Sequence, residues 1–103
     1  MEEASAFLVS VAVRYPVPLR EITKKTEERV ELPQAATLED LFRTLSEKYG
    51  EVFRGYVFDS EGNIRENLLI LLNGRSLDKH KELFGMTLGQ EDILAILSPM
   101  SGG

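Results

Sequence analysis

The 103-residue sequence contains no cysteine, no tryptophan and a single histidine. Without thiols there is no disulfide, no thiolate metal ligand and no cysteine nucleophile, which fits a reducing compartment. The histidine, His80, stands between Lys79 and Lys81. Two flanking cations make it a poor metal ligand and a poor general base, and it reads as a solvated loop residue. Basic charge is also short: 12 Lys and Arg against 17 Asp and Glu leave a net charge of −5. That disfavours a nucleic-acid binder, which needs a basic face to meet phosphates, and suits an acidic protein docking on a basic partner. No apolar stretch approaches the length of a membrane span. The apolar segment from Phe7 to Val13 follows Glu2 and Glu3, where a secretory signal would be positive. The expectation is a cytoplasmic protein with no membrane or nucleic-acid partner.

The remaining composition, 43% hydrophobic and 28% charged, is that of one globular domain able to bury a core. Phe7, Val9, Val11 and Val13 alternate with Leu8, Ser10, Ala12 and Arg14, which predicts a strand ended by Pro16 and Pro18. Leu19 to Lys25 reads as a hairpin connection to a second strand, Glu27 to Leu32. Thr37 to Tyr49 reads as a helix. Thr37 and Asp40 have capping-box spacing, the stripe Leu38, Leu41, Phe42, Leu45 and Tyr49 is apolar, and Gly50 is placed to stop it. Val52 to Phe58 is mixed, with a short strand expected at Tyr56 to Phe58. Asp59 to Asn63 is a turn too short for an EF-hand loop, and no metal is expected. Leu68 to Leu72 is an apolar strand, followed by the tight-turn pair Asn73-Gly74. Leu83 to Leu88 reads as a core-plugging segment, and Ile93 to Leu97 as the last strand. The expected class is α+β: a mixed sheet with the helix on one face. The expected core is Val9, Val11, Val30, Leu41, Phe42, Leu45, Leu94 and Ile96.

The sequence closes on Ser98-Pro99-Met100-Ser101-Gly102-Gly103, with no charged side chain after Asp92. Pro99 favours an extended exit, and two glycines can pass through a slot that rejects any side chain. Residues 1–97 are thus expected to form the domain and 98–103 an exposed tail. On the uncovered sheet face, Leu8, Ser10 and Ala12 of the first strand and Ile93, Ala95 and Leu97 of the last would point outward. Such an apolar patch predicts a partner site. The candidate interface is therefore Leu8, Ala12, Ala95 and Leu97, with Pro99 and Met100 of the tail.

With this element order beside Gly102-Gly103, the chain resembles the β-grasp (ubiquitin-like) sulfur carriers. It looks most like the MoaD group, the small subunit of molybdopterin synthase, and the related small archaeal modifier proteins. The resemblance rests on Leu19-Arg20-Glu21-Ile22-Thr23, Glu28-Arg29-Val30-Glu31-Leu32-Pro33, Thr37-Leu38 with Leu41, Leu71-Leu72-Asn73-Gly74-Arg75 and Asp92 to Gly103. The departures are Lys24 where the family often has glycine, Ser98-Pro99-Met100 where it often has two prolines and a valine, and Gln90-Glu91-Asp92 where it has Asp-Gly-Asp.

The resemblance implies a carrier that is not itself an enzyme and binds no cofactor. A MoeB-like activating enzyme would use ATP to adenylylate Gly103, and sulfur would replace the adenylate to give a thiocarboxylate. Ser101 and Gly102 would thread with Gly103 into a MoaE-like large subunit, where sulfur passes to a pterin precursor in molybdenum cofactor biosynthesis. Two alternatives stand beside this: a protein modifier joined through Gly103 to lysines of target proteins, and a plain β-grasp binding module.

Overall fold

A computed structural model describes residues 8–79 and 81–98. Five strands form one mixed sheet: β1 (Leu8–Arg14), β2 (Glu27–Pro33), β3 (Leu69–Leu72), β4 (Arg75–Ser76) and β5 (Ile93–Leu97), in the order β2-β1-β5-β3-β4. β1 pairs antiparallel with β2 and parallel with β5, and β3 pairs antiparallel with β5 and β4. The last strand therefore lies at the centre of the sheet. β2 and β3, on either side of the helical region, run parallel to each other but are held apart by β1 and β5. This is the expected α+β, β-grasp arrangement.

Helix α2 (Leu38–Tyr49) covers one sheet face. Its start is fixed as the spacing predicted. Thr37 Oγ1 accepts from the Asp40 amide at 3.3 Å, and Asp40 Oδ2 accepts from the Thr37 amide at 2.9 Å. Leu38, Leu41, Phe42 and Leu45 are buried against Val9, Val11, Val30, Leu94 and Ile96, so every residue of the expected core is in it. At about 1.5–3 kcal/mol per buried side chain, this stripe holds a helix that would be marginal alone.

Two segments differ from expectation. The connection after β1 is not an open hairpin loop but helix α1 (Val17–Thr23). Pro18, which reads as a strand stop, is equally at home in the first turn of a helix, where no amide partner is needed. Leu19 and Thr23, four residues apart, are both buried. Likewise Tyr56 to Phe58 is no strand. α3 (Glu51–Val57) occupies that stretch, with Phe53 and Val57 buried one turn apart, and only Phe58 makes a bridge, to Ile64. Gly50, at φ 85°, ends α2 and starts α3. Leu83 to Leu88 plugs the core as expected, through a 3-10 helix (Lys81–Gly85) with Leu83 and Leu88 buried. The reading of His80 falls outside the described residues.

One buried carboxylate ties these pieces together. Glu28 of β2 accepts from the hydroxyl of Tyr15 at 2.7 Å and from that of Tyr49 through one oxygen. Its other oxygen meets the ammonium groups of Lys48 at 2.6 Å and Lys25 at 3.4 Å. It thereby joins the end of β1, β2 and the end of α2.

Candidate functional site

The site is built from β5 outward. Asn73 and Asp92 set where β5 begins. The Asn73 amide donates to the Ile93 carbonyl at 2.8 Å, its side-chain oxygen accepts from the Ile93 amide at 2.8 Å, and its side-chain nitrogen reaches Asp92 at 2.9 Å. Asp92 also accepts from the Gly89 amide at 2.7 Å. From there period-two alternation sorts the strand. Leu94 and Ile96 enter the core, while Ile93, Ala95 and Leu97 face away from the helices.

On that uncovered face the register places Leu97 opposite Leu69 and Ala95 opposite Leu71. Leu69 and Leu97 are 37% and 40% exposed, with Leu71, Ile93 and Ala95 half-buried around them. Lys79 steadies the approach to β3 by donating to the carbonyls of Arg65, Glu66 and Leu68 at 3.2, 2.7 and 2.6 Å. Charge borders the patch on the β1 side. Arg14 pairs with Glu27 at 3.1 Å, and Arg29 spans to Ser10 at 2.9 Å and Glu91 at 3.0 Å.

The expected interface residues are thus only partly brought together. Ala95 and Leu97 lie in the patch. Ala12 faces the same side but is only 5% exposed. It is a small side chain set between its larger register neighbours Arg29 and Ile93. Leu8 is exposed but pairs with Pro33 at the far end of β1, six residues and about 20 Å along the strand from the level of Ala95. It belongs to a different part of the surface. Leu69 and Leu71 complete the patch in their place. They belong to the apolar run Leu68 to Leu72, and the pairing with β5 shows which of its side chains remain outside.

The root of the tail also differs from expectation. Ser98 is 1% exposed, so it is packed into the domain and is not part of an exposed arm. Pro99, Met100, Ser101, Gly102 and Gly103 lie outside the described residues. Among the described residues no three His, Cys, Asp or Glu side chains gather as a metal site, and no helix is long and apolar enough to cross a membrane.

Comparison with known proteins fits this geometry. SAMP1 from Haloferax volcanii superposes with a TM-score of 0.74 at 24% identity, over 91% of this chain and 99% of its own. A putative molybdopterin converting factor, subunit 1, from Pyrococcus furiosus gives 0.68 at 26% identity, over 87% and 97%. The small archaeal modifier protein 1 from Methanosarcina acetivorans gives 0.68 at 26% identity, over 93% and 98%. No curated protein sequence matches significantly. The ThiS family model matches residues 13–103, from the end of β1 through β5 to the closing glycines, and the chain belongs to the ThiS family.

Proposed function

We propose that the protein carries sulfur on Gly103 and acts as the small subunit of a molybdopterin synthase. The observation that carries this reading is the family match running through residue 103, on a fold that leads from a central strand to the glycine pair. A carboxylate is a poor acyl donor because its leaving group would be oxide or hydroxide. A MoeB-like enzyme overcomes this by letting the Gly103 carboxylate attack the α-phosphorus of ATP, releasing pyrophosphate and leaving an acyl-adenylate. A sulfur nucleophile then displaces AMP, and the thiocarboxylate results. The sulfur comes from outside, since the sequence has no cysteine. The carrier is a substrate and a subunit, and the catalytic groups belong to its partners. A MoaE-like subunit takes the tail in its channel, and the Leu69–Leu97 patch supplies the apolar contact at the channel mouth.

The likeness to the Methanosarcina acetivorans modifier favours a second outcome of the same activation, transfer of Gly103 to a lysine of a target protein. Both readings share the adenylate and part afterwards. Intact mass of the protein after incubation with a MoeB-like enzyme, ATP and a sulfur donor tests the shared step. A gain of one sulfur for one oxygen is expected, and an unchanged mass with an enzyme that activates a known carrier refutes it. Glycine-linked lysines in digests of cell protein distinguish the second outcome.

A further inference from the structure

A groove lies on the helical side of the sheet, on the face opposite the Leu69–Leu97 patch. It is an open groove of about 930 Å³ between α2, α3 and the turn at Asp59 to Asn63, within the size range of sites that hold a small molecule or a short peptide segment. Its floor is aromatic. Phe42, Phe58 and Phe84 form a triangle with centroids 5.5, 6.4 and 6.1 Å apart. Phe42 is buried, but Phe58 and Phe84 are only half-buried, so the rings are open to an apolar side chain arriving from solvent.

The rim is acidic. Five carboxylates and three guanidiniums line the groove, a net charge of −2, and the positive groups are already engaged. Arg43 is held by Asp40 at 3.0 Å and Glu39 at 3.7 Å, Arg54 by Glu51 at 2.8 Å, and Arg65 donates to the Gly55 carbonyl at 2.8 Å. Glu47 and Glu61 are exposed, and neither carboxylate has a partner among the described residues. An apolar floor beneath unneutralised carboxylates selects a cation with an apolar anchor. The chain's own ends do not match, for residues 1–7 carry Glu2 and Glu3 and residues 99–103 carry no charged side chain. Nucleic acid is excluded by charge.

We infer that this groove docks a basic peptide segment of another protein, with one aromatic or aliphatic side chain on Phe58 and Phe84 and its Lys or Arg residues beside Glu47 and Glu61. Because the groove and the Leu69–Leu97 patch lie on opposite sides of the sheet, the segment binds while the tail is engaged elsewhere. This does not depend on what the tail carries.

Gly55 supplies the test. A Cβ built there meets nothing within 4 Å, and glycine inside a helix is unfavourable, so the side chain of Gly55→Leu starts from open space and projects into the groove. The ¹⁵N-labelled full chain is titrated with the end-blocked peptide Lys-Lys-Phe-Leu-Lys-Lys. Saturable amide shifts are expected at Gly55, Phe58, Glu61 and Gly62, weakened by salt. Gly55→Leu is expected to lower affinity about tenfold or more with Tm maintained or raised. The double variant Glu47→Lys, Glu61→Lys, altered only at exposed positions, is expected to do the same. Peptides with Glu for Lys, or Ala for Phe and Leu, are expected not to bind. Shifts centred on β3 and β5, absence of saturation, equal binding of either control peptide, or affinity untouched by both variants would overturn the proposal.

Discussion

At the scale of single residues, Glu28 has the most to lose. Burial pushes its carboxyl up, but hydrogen bonds from Lys48, Tyr49 and Tyr15 together outweigh burial and hold it down at about 2, against 4.5 for a free glutamate. A group depressed in the folded state adds stability above its unfolded pKa and loses it as pH falls towards the folded value. The contribution of Glu28 is therefore complete above pH 4.5 and fades between there and about 2. Its size is on the order of 3 kcal/mol. Denaturant unfolding across this range is expected to show stability falling with pH, and Glu28→Gln is expected to flatten that fall. Glu28→Ala strands the buried Tyr15 hydroxyl and is expected to cost about 2–4 kcal/mol at neutral pH. Backbone strain offers the opposite sign. Ala35 is exposed with φ 72°, a left-handed conformation that costs an L-residue about 1 kcal/mol or more. Ala35→Gly removes that cost, loses almost no contact and is expected to raise stability by up to about 1 kcal/mol, read as a higher denaturation midpoint. The same conformation recurs at two positions where the chain departs from the pattern it resembles. Lys24 and Glu91 stand where glycine is usual, and both have positive φ, 64° and 69°.

At the scale of elements, legibility tracked how many independent signals a segment carried. α2 had a cap, a periodic stripe and a stop, and all three agree in the structure. Removing the cap by Thr37→Ala is expected to cost about 1 kcal/mol, measured as a shift in denaturation midpoint at unchanged slope. The four longer strands had alternation or apolar runs between turn residues, and each lies where expected to within a residue or two. α1 and α3 were hidden for physical reasons. Each is seven residues long, too short for the helical period to repeat. α1 opens with prolines that also end strands, and α3 contains Gly55, a poor helix former. Tertiary burial of Leu19, Phe53 and Val57 decides them, and a local reading has no access to that. The candidate site divides in the same way. Ala95 and Leu97 follow from alternation alone. Leu69 and Leu71 need the β3–β5 register, and the burial of Ala12 and Ser98 depends on neighbours that only the fold supplies.

At the scale of the whole molecule, the division of labour between body and tail can be separated by experiment. Leu97 is 40% exposed, opposite Leu69. Placing a carboxylate there with Leu97→Asp is expected to weaken a MoaE-like partner about tenfold or more while the fold is retained, because the side chain faces away from the core. Circular dichroism and calorimetric titration read the two effects. The tail should behave in the reverse manner. Gly103 has no side chain to bury, so deleting it is expected to leave thermal stability unchanged. The deletion still leaves a carboxylate on a glycine, chemically equivalent but about 3.5 Å short of its position. Where a carboxylate oxygen must meet the α-phosphorus of ATP in line, a misplacement of even about 1 Å can cost a hundredfold. Adenylate formation and thiocarboxylate yield are therefore expected to fall by at least that factor in the truncated protein. Gly102→Val, which keeps the length but adds a branched side chain at the slot, should fail for a steric reason instead. A truncated protein activated as fast as the full chain would mean that reach does not set the reaction, and the proposed role of Gly103 would fall with it.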